Sequence, residues 1–221
     1  MAKALLFDLD GTLLHSDPLH IAVFIELFAE HGQQIDKAYY LEHIHGTFNE
    51  ITFGRHFPDQ DALALADEKE ARFRDRLGDS AEPMPGLTAL LDRAAAENWR
   101  VAVVTNAPRV NAEAMLAAIG MTDRLPVVII GDECAAGKPD PAPYLAAMDR
   151  LGVAPGDCIA FEDSPSGMTA ARASGAYCVG LRSSLTEDKL CAAGAHVTIQ
   201  DYTDPALPKI LARLNERNSS S

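Results

Sequence analysis

The chain has 221 residues, of which 48% are hydrophobic and 23% charged, a balance typical of a globular protein with one domain and a modest insert. It contains 19 Lys and Arg and 32 Asp and Glu residues, which gives a net charge of −13. This charge argues against nucleic acid or an anionic membrane as a partner. No apolar stretch approaches the roughly 20 residues that span a bilayer, and no secretion signal is evident, so we expect a cytoplasmic protein.

The first predicted element is a buried strand, the short apolar run from Ala4 to Phe7. It delivers Asp8 and Asp10 at its carboxyl end, and alternate residues of a strand point the same way. Two carboxylates facing one small volume repel each other and require a cation or a shared proton. A divalent metal such as Mg²⁺ satisfies oxygen ligands of this kind, and Mg²⁺ commonly accompanies a phosphate. The alternative is a surface turn with solvated Asp side chains.

The next segment, residues 17–81, has helical periodicity without a convincing parallel strand. Prolines punctuate both of its borders, at Pro18 and at Pro83 and Pro85, where helices are disfavoured. We therefore predict a small all-helical domain at 17–81, inserted into a catalytic core made of residues 1–16 and 82–221. An insert that leaves the sheet beside the Asp pair would lie over the site as a lid.

From Pro85 onward, apolar runs alternate with amphipathic stretches, a pattern that indicates βαβ units and a mostly parallel sheet. The fold class is therefore α/β. The predicted strands are Val101–Thr105, Val127–Ile130, Ile159–Glu162, Cys178–Leu181 and His196–Ile199, and the predicted helices are Leu87–Asn98, Val110–Ile119, Pro141–Leu151 and Gly167–Ser174.

The four cysteines, Cys134, Cys158, Cys178 and Cys191, are widely spaced and form no CxxC pair. We interpret them as reduced thiols that are mostly buried. Residues 218–221 are predicted to be a frayed tail.

Three further segments place reactive side chains at strand ends or helix starts. Thr105 and Asn106 end one predicted strand, Lys138 precedes a helix that begins at a proline, and Glu162 and Asp163 end another strand. Taken singly, these are as readily a strand cap, a solvated lysine and an acidic turn. Together with the Asp pair they indicate a phosphoryl-transfer site with a carboxylate nucleophile, a hydroxyl, an ammonium and a metal-binding acid.

In this order the segments resemble the four motifs of the haloacid dehalogenase-like phosphohydrolase superfamily. The matching motifs are Asp8-Leu9-Asp10-Gly11-Thr12, Thr105-Asn106, Lys138-Pro139 and Glu162-Asp163. The helical insert is similar to the small α-helical cap of the branch that contains phosphoglycolate phosphatases and β-phosphoglucomutases. The resemblance implies a Rossmann-like core and a small phosphorylated metabolite as substrate.

The resemblance also implies roles for the acids. Asp8 would attack phosphorus and become an aspartyl-phosphate, while Asp10 would protonate the leaving alkoxide and then deprotonate the hydrolytic water. Mg²⁺ would be held by a carboxylate oxygen of Asp8, the backbone carbonyl of Asp10 and the side chain of Asp163. Glu162 belongs to the same group, more as a residue that orients the ligands than as a ligand.

Other motif residues are implied to bind the phosphate. Thr105, the backbone amides near it and the Asn106 side chain would bind the transferring phosphoryl group, and Lys138 would offset its charge and that of Asp8. Gly11 would let the chain turn beside the phosphate, and Thr12 would help to fix that turn.

Substrate choice is expected to lie with the insert. His20 stands where relatives acting on sugar phosphates carry a His that contacts the proton-shuttling Asp or the substrate; the alternative is an ordinary helix histidine. β-Phosphoglucomutases hold a second phosphate with an Arg close to the position of Asn49. Arg55, six residues further along, could take the place of that Arg, although an exposed ion-pairing Arg is the simpler interpretation.

The sequence therefore predicts a Mg²⁺-dependent phosphatase for a small monoester, such as a sugar phosphate or a phosphoglycolate-like compound, working as a monomer or small homo-oligomer. A phosphosugar mutase of the β-phosphoglucomutase kind is the alternative enzyme. The non-enzyme alternatives are an idle scaffold of the same fold and a response-regulator receiver, although receivers carry the phosphorylated Asp on a later strand and lack the insert.

Overall fold

The computed structural model describes residues 2–216, the side chains of 215 and 216 excepted, so the predicted tail at 218–221 lies outside it. Six parallel strands form one sheet in the order β3-β2-β1-β4-β5-β6. The strands are β1 (Ala4–Phe7), β2 (Arg100–Thr105), β3 (Val128–Ile130), β4 (Cys158–Glu162), β5 (Tyr177–Leu181) and β6 (Val197–Ile199). The predicted α/β class is confirmed, and each predicted strand agrees with the structure to within one residue at its start.

The strand order reverses at β1, which lies between β2 and β4. Phe7 is in register with Val103 on one side and Phe161 on the other, so the carboxyl ends of three strands meet there. In open parallel sheets such a reversal leaves a crevice beyond the strand ends, where ligands bind. The residues that follow β1, β2 and β4 are therefore the ones that can form a site.

Side chains of β1 alternate between two hydrophobic layers. Leu5 and Phe7 pack into one core cluster, whereas Ala4 and Leu6 pack into the other. All four are completely buried, which explains why the strand is a continuous apolar run. The helices that cover the sheet are α5 (Leu87–Ala96), α6 (Arg109–Ala118), α7 (Ala142–Leu151), α8 (Pro165–Ala173), α9 (Glu187–Ala193) and α10 (Leu207–Glu216).

The helical insert follows β1 and has a hydrophobic cluster of its own, centred on Phe24, Phe28 and Phe53. Its helices are α1 (Asp17–Glu30), α2 (Lys37–His43), α3 (Asn49–His56) and α4 (Ala62–Leu77). The last helix belongs to both parts of the molecule, because Phe73 and Leu77 pack into the cluster that covers the sheet. Helix α4 is therefore the mechanical link between the insert and the core.

The four cysteines are free thiols, as predicted. Cys158 and Cys178 are buried, Cys134 is half-buried and Cys191 is exposed, so only two of the four fit the expectation of burial. Cys191 faces solvent because it lies on the outer side of the short helix α9. In the described part of the chain, no helix combines the length and apolarity needed to cross a membrane.

Candidate active site

Asp8 and Asp10 lie immediately after β1, at the point where the strand order reverses. The Asp8 N–H donates to the carbonyl of Phe161 at 3.0 Å, which extends the parallel ladder by one residue and fixes where the Asp8 side chain begins. The chain then turns through Gly11, whose φ of +69° is readily adopted only by glycine. A Cβ on Gly11 would overlap the Asp163 carboxylate, so Gly11 is needed for the shape of the turn and for space.

Lys138 connects Asp8 to Glu162. Its Nζ lies 2.6 Å from Asp8 Oδ1 and 2.5 Å from Glu162 Oε1, and the residue is only 4% exposed. Burial lowers the pKa of Lys138, but the charges of Asp8 and Glu162 outweigh burial and raise that pKa above its usual value. Tyr144 donates a 2.7 Å hydrogen bond to the same Glu162 oxygen, which holds this carboxylate against Lys138.

Three buried carboxylates, those of Asp8, Glu162 and Asp163, have ligand oxygens within 4.8 Å of one another. Burial, followed by the charge of Glu162, raises the pKa of Asp8 to about 8 despite Lys138. Burial and the charges of Asp17, Asp8 and Glu162 raise the pKa of Asp163 well above its usual value. One ammonium cannot balance this much negative charge in a buried space.

The group fits a divalent cation of the hard, oxygen-binding kind. Its donors are carboxylate oxygens, which such cations prefer. Ser183 donates a 2.9 Å hydrogen bond to Asp163 Oδ2 and so orients that carboxylate. Ser166 also lines the cavity, and its hydroxyl is buried without a hydrogen-bond partner in the described residues.

Asp10 is held by a separate set of hydrogen bonds. Its Oδ1 accepts from Ser16 Oγ at 2.6 Å and contacts His20 Nε2 at 2.8 Å. Lys69 Nζ lies 2.8 Å from the other ring nitrogen of His20, Nδ1. Because an ammonium only donates, Nδ1 accepts and Nε2 carries the proton that it donates to Asp10. Burial raises the pKa of Asp10, but the hydrogen bonds from His20 and Ser16 and the charge of Lys69 outweigh it and lower that pKa.

Thr105 ends β2 and Asn106 follows it, and both make hydrogen bonds that the sequence does not predict. The amide of Asn106 donates from Nδ2 to the carbonyl of Lys138 and accepts at Oδ1 from the Lys138 N–H, both at 3.0 Å. Thr105 Oγ1 accepts from the Ala107 N–H at 2.9 Å and borders the cavity with Asn106. Asn106 therefore fixes the backbone of Lys138.

Thr12 is placed away from the cavity. It is completely buried, its carbonyl accepts from the Tyr202 hydroxyl at 3.2 Å, and it is not among the residues that border the cavity. Its position under the Gly11 turn suits a role in the shape of that turn.

A cavity of about 210 Å³ lies between the insert and the carboxyl ends of the strands. Asp8, Asp10, Lys138 and Asp163 line one side of it, and aromatic and polar residues of the insert line the other. Among the lining residues from the insert are Phe24, Tyr40, Phe48, Asn49 and Lys69. A small molecule held by these walls would touch both parts of the protein.

Several residues of the site were not predicted from the sequence. Lys69, Glu70 and Asn111 border the cavity and are almost completely buried. The sequence does contain a sign of Lys69. It lies four residues from both Leu65 and Phe73, on the apolar face of α4, where a lysine is unusual. Asp17 and His45 form a second group with Asp163, also within 4.8 Å, and carry no comparable signal.

Comparison with known proteins places these features in context. A family model described as haloacid dehalogenase-like hydrolase matches residues 2–175. The chain is 33% identical to validoxylamine A 7'-phosphate phosphatase of Streptomyces hygroscopicus subsp. limoneus, over 95% of this chain and 99% of that protein. It is 36% identical to phosphoglycolate phosphatase of Xylella fastidiosa, over 78% and 77%. It is 34% identical to a fructose-1-phosphate phosphatase of Escherichia coli, over 80% and 95%.

Solved structures share the whole fold. A hydrolase of the same family from Entamoeba histolytica matches with a TM-score of 0.86 and 25% identity, covering 97% of this chain and 100% of that one. A β-phosphoglucomutase from Clostridium difficile matches with a TM-score of 0.85 over 99% and 100%, and at 21% identity it indicates a common fold alone.

Proposed function

This chain belongs to the haloacid dehalogenase-like hydrolase family, as a phosphatase for small phosphorylated compounds, and from that premise we propose that it hydrolyses sugar monophosphates with Mg²⁺ through an aspartyl-phosphate on Asp8. The observation that carries the proposal is the contact of Asp8 with Lys138, 2.6 Å from Oδ1 to Nζ, on the wall of a small cavity. An acid beside a buried ammonium can approach an anionic phosphate without strong repulsion.

In the first half of the reaction, the Asp8 carboxylate forms a bond to phosphorus while the bond from phosphorus to the substrate oxygen breaks. The leaving alkoxide takes a proton from Asp10. The hydrogen bonds from His20 and Ser16 orient the Asp10 carboxyl group and stabilise the carboxylate that remains once its proton has left. Lys138 offsets charge on Asp8 and on the phosphoryl group.

In the second half, water attacks phosphorus, Asp10 takes a proton from that water, and phosphate leaves as the bond to Asp8 breaks. Asp8 and Asp163, with Glu162 beside them, are the side chains that would hold Mg²⁺, together with the backbone carbonyl of Asp10. When bound there, Mg²⁺ supplies positive charge that keeps Asp8 ionised and offsets the charge of the phosphoryl group.

The charges of the cavity favour a sugar monophosphate over substrates with a second anionic group. Within the described part of the chain, the lysine and arginine side chains that line the cavity are Lys69 and Lys138, and both are bonded to carboxylates of the chain itself. The rim of the cavity carries three exposed acids, Glu50, Asp67 and Asp132. A second phosphate or a carboxylate would therefore meet negative charge.

The same charges weaken the phosphosugar mutase alternative, whose substrates pass through a bisphosphate. Asn49, near the position of the mutase Arg, donates to Glu70, and Arg55 is exposed and outside the cavity lining. A phosphoglycolate-type substrate is the second candidate, because a phosphoglycolate phosphatase is among the relatives at 36% identity.

A phosphatase panel tests the proposal: fructose 1-phosphate, glucose 6-phosphate, β-glucose 1-phosphate, phosphoglycolate and fructose 1,6-bisphosphate, assayed with Mg²⁺ or with EDTA. We expect release of phosphate from a sugar monophosphate, no activity in EDTA or in Asp8→Asn, and an acid-quenched phosphoenzyme by mass spectrometry. EDTA-insensitive turnover in Asp8→Asn contradicts the mechanism, and a preference for the bisphosphate or phosphoglycolate contradicts the substrate class.

A further inference from the structure

A buried chain of hydrogen bonds runs from helix α6 of the core through the insert to Asp10. Asn111 on α6 donates from Nδ2 to Glu70 Oε2 on α4. Glu70 Oε1 accepts from Lys69 Nζ at 2.8 Å, and Lys69 contacts His20 and through it Asp10. Asn111, Lys69 and Glu70 are 1%, 3% and 8% exposed. This series of hydrogen bonds thus crosses between the two parts of the protein through buried side chains.

We propose that Glu70 and Asn111 are positioning residues for the proton transfer by Asp10. Asn111 draws the Glu70 carboxylate toward the core, Glu70 holds the ammonium of Lys69 against His20, and His20 in turn orients Asp10. This series of hydrogen bonds is complete only while the insert lies against α6. Asp10 is therefore oriented for proton transfer when the insert closes the cavity. The inference rests on the proposed function, because it assigns Asp10 a proton to transfer.

The Lys69–Glu70 contact requires an outside anchor. Neighbouring residues of a helix point about 100° apart, so side chains one residue apart do not face each other by helix geometry. Glu70 meets Lys69 because Asn111 binds its Oε2 and Asn49 donates to its Oε1 at 2.5 Å. Without the bond from Asn111, the carboxylate loses its only partner on the core side in the described residues.

The orientation of Asn111 is fixed as well. Arg74 donates from Nη1 to Asn111 Oδ1 at 2.5 Å, and a guanidinium has no acceptor. The amide of Asn111 must therefore turn its oxygen to Arg74 and its nitrogen to Glu70. Arg74 and Glu70 both lie on α4, so two residues of this helix hydrogen-bond the same side-chain amide, that of Asn111 on α6.

The leaving group of the substrate distinguishes this role from a merely structural one. Phenyl phosphate releases phenol, with a pKa of about 10, and benefits from protonation by Asp10, whereas 4-nitrophenyl phosphate releases a much weaker base that needs little help. kcat/KM covers binding and the steps up to the loss of the leaving group. A change in the ratio of kcat/KM for the two esters between variant and wild type therefore reports the protonation of the leaving group, because effects on binding and on attack by Asp8 act on both esters.

The test compares Asn111→Leu and Glu70→Gln with wild type on both esters, with Mg²⁺. We expect kcat/KM for phenyl phosphate to fall about tenfold in each variant, and kcat/KM for 4-nitrophenyl phosphate to fall about twofold or less, since a positioned acid contributes at least about 100-fold. Glu70→Gln keeps the side-chain size and provides the test if Asn111→Leu fails to fold. Arg72→Ala is the control, because Arg72 lies on the partly exposed side of α4, where it pairs with Glu30 of α1.

Equal losses on the two esters, or no loss on phenyl phosphate in a folded variant, overturn the inference. The proposed function has its own readout in this experiment. If wild type releases phosphate neither from these esters nor from the sugar phosphates of the panel, or if Asp8→Asn remains active, the phosphatase mechanism fails independently of Glu70 and Asn111.

Discussion

The ammonium of Lys138 lies 2.6 Å from Asp8 Oδ1, although 130 residues separate the two in the chain. Lys138 precedes α7 and Asp8 follows β1, and the α7 helix packs against the sheet through Tyr144, whose ring lies 5.3 Å from Nζ. The ammonium pairs with both Asp8 and Glu162. Because all three side chains are buried, water does little to screen these charges and Lys138 offsets both carboxylates.

Lys138→Met tests that contact. We expect kcat to fall about 100-fold or more, since a buried charge that stabilises the transferring phosphoryl group is removed while its two carboxylates stay. Steady-state kinetics with saturating Mg²⁺ measures the effect, and Lys189→Ala, at an exposed lysine of α9, is the matched control. A Lys138→Met protein that is folded by circular dichroism and retains more than a tenth of wild-type kcat contradicts the role.

Gly11→Ala is expected to weaken Mg²⁺ binding. The added Cβ would overlap the Asp163 carboxylate, so Asp163 must move, and the Mg²⁺ concentration for half-maximal activity should rise about tenfold. The backbone strain alone costs about 1 to 2 kcal/mol of stability at a φ of +69°.

Gly32→Ala separates the two effects. Gly32 has a similar φ of +79°, but nothing lies within 4 Å of the position of its Cβ. It should therefore show the loss of thermal stability and an unchanged Mg²⁺ requirement. Identical Mg²⁺ titrations for the two variants would mean that Asp163 does not respond to Gly11.

Local patterns account for what was predictable in this protein. Ala4–Phe7 reads as a strand because both of its faces are buried, and Asp8 follows it directly. Lys138 comes shortly before a helix that begins beside Pro141. In a parallel α/β sheet the helix starts lie near the carboxyl ends of the strands, so the sequence places Lys138 there. Such features depend on a few neighbouring residues, so the sequence displays them.

Contacts between distant elements account for what was missed. Lys69 reaches His20 across 49 residues because α4 packs on α1, and no local pattern encodes that pairing. Asn106 lines the cavity, and its two hydrogen bonds to the Lys138 backbone were not predicted because they depend on the packing of two loops. The hydrogen bond from Asn111 to Glu70 could not be predicted either, because it forms only when the insert lies against the core.

Removing acids from the rim should improve turnover of anionic substrates. For Glu50→Gln and Asp132→Asn we expect kcat/KM for phosphoglycolate to rise about twofold to fivefold, while kcat/KM for glucose 6-phosphate, whose only charged group is its phosphate, rises less. The gain should shrink at high ionic strength, because both side chains are exposed and salt screens them. A salt-independent gain, or an equal gain on both substrates, contradicts an electrostatic cause.

Thiol labelling should distinguish the cysteines by burial. Burial raises the pKa of Cys158 and of Cys178 to about 12, so about one thiol in 10,000 is ionised at pH 8. Exposed Cys191 should react first with a disulfide reagent, half-buried Cys134 more slowly, and the two buried thiols only after denaturation. Cys191→Ser should abolish the fast phase, and a second fast thiol in that variant contradicts the burial.

The same two thiols make the folded state sensitive to alkali. An unfolded cysteine ionises near pH 8.5, whereas the pKa of folded Cys178 is raised to about 12, mainly by burial. The folded state therefore holds the proton more tightly, so the contribution to stability is complete below about pH 8.5 and is lost as the pH rises toward 12.

Denaturant unfolding between pH 8 and 10 should show a falling free energy of unfolding, and the fall with pH should be shallower in Cys178→Ala. Cys191→Ala should keep the wild-type slope, since that side chain is exposed in the folded protein. An unchanged slope in Cys178→Ala contradicts the raised pKa of this thiol.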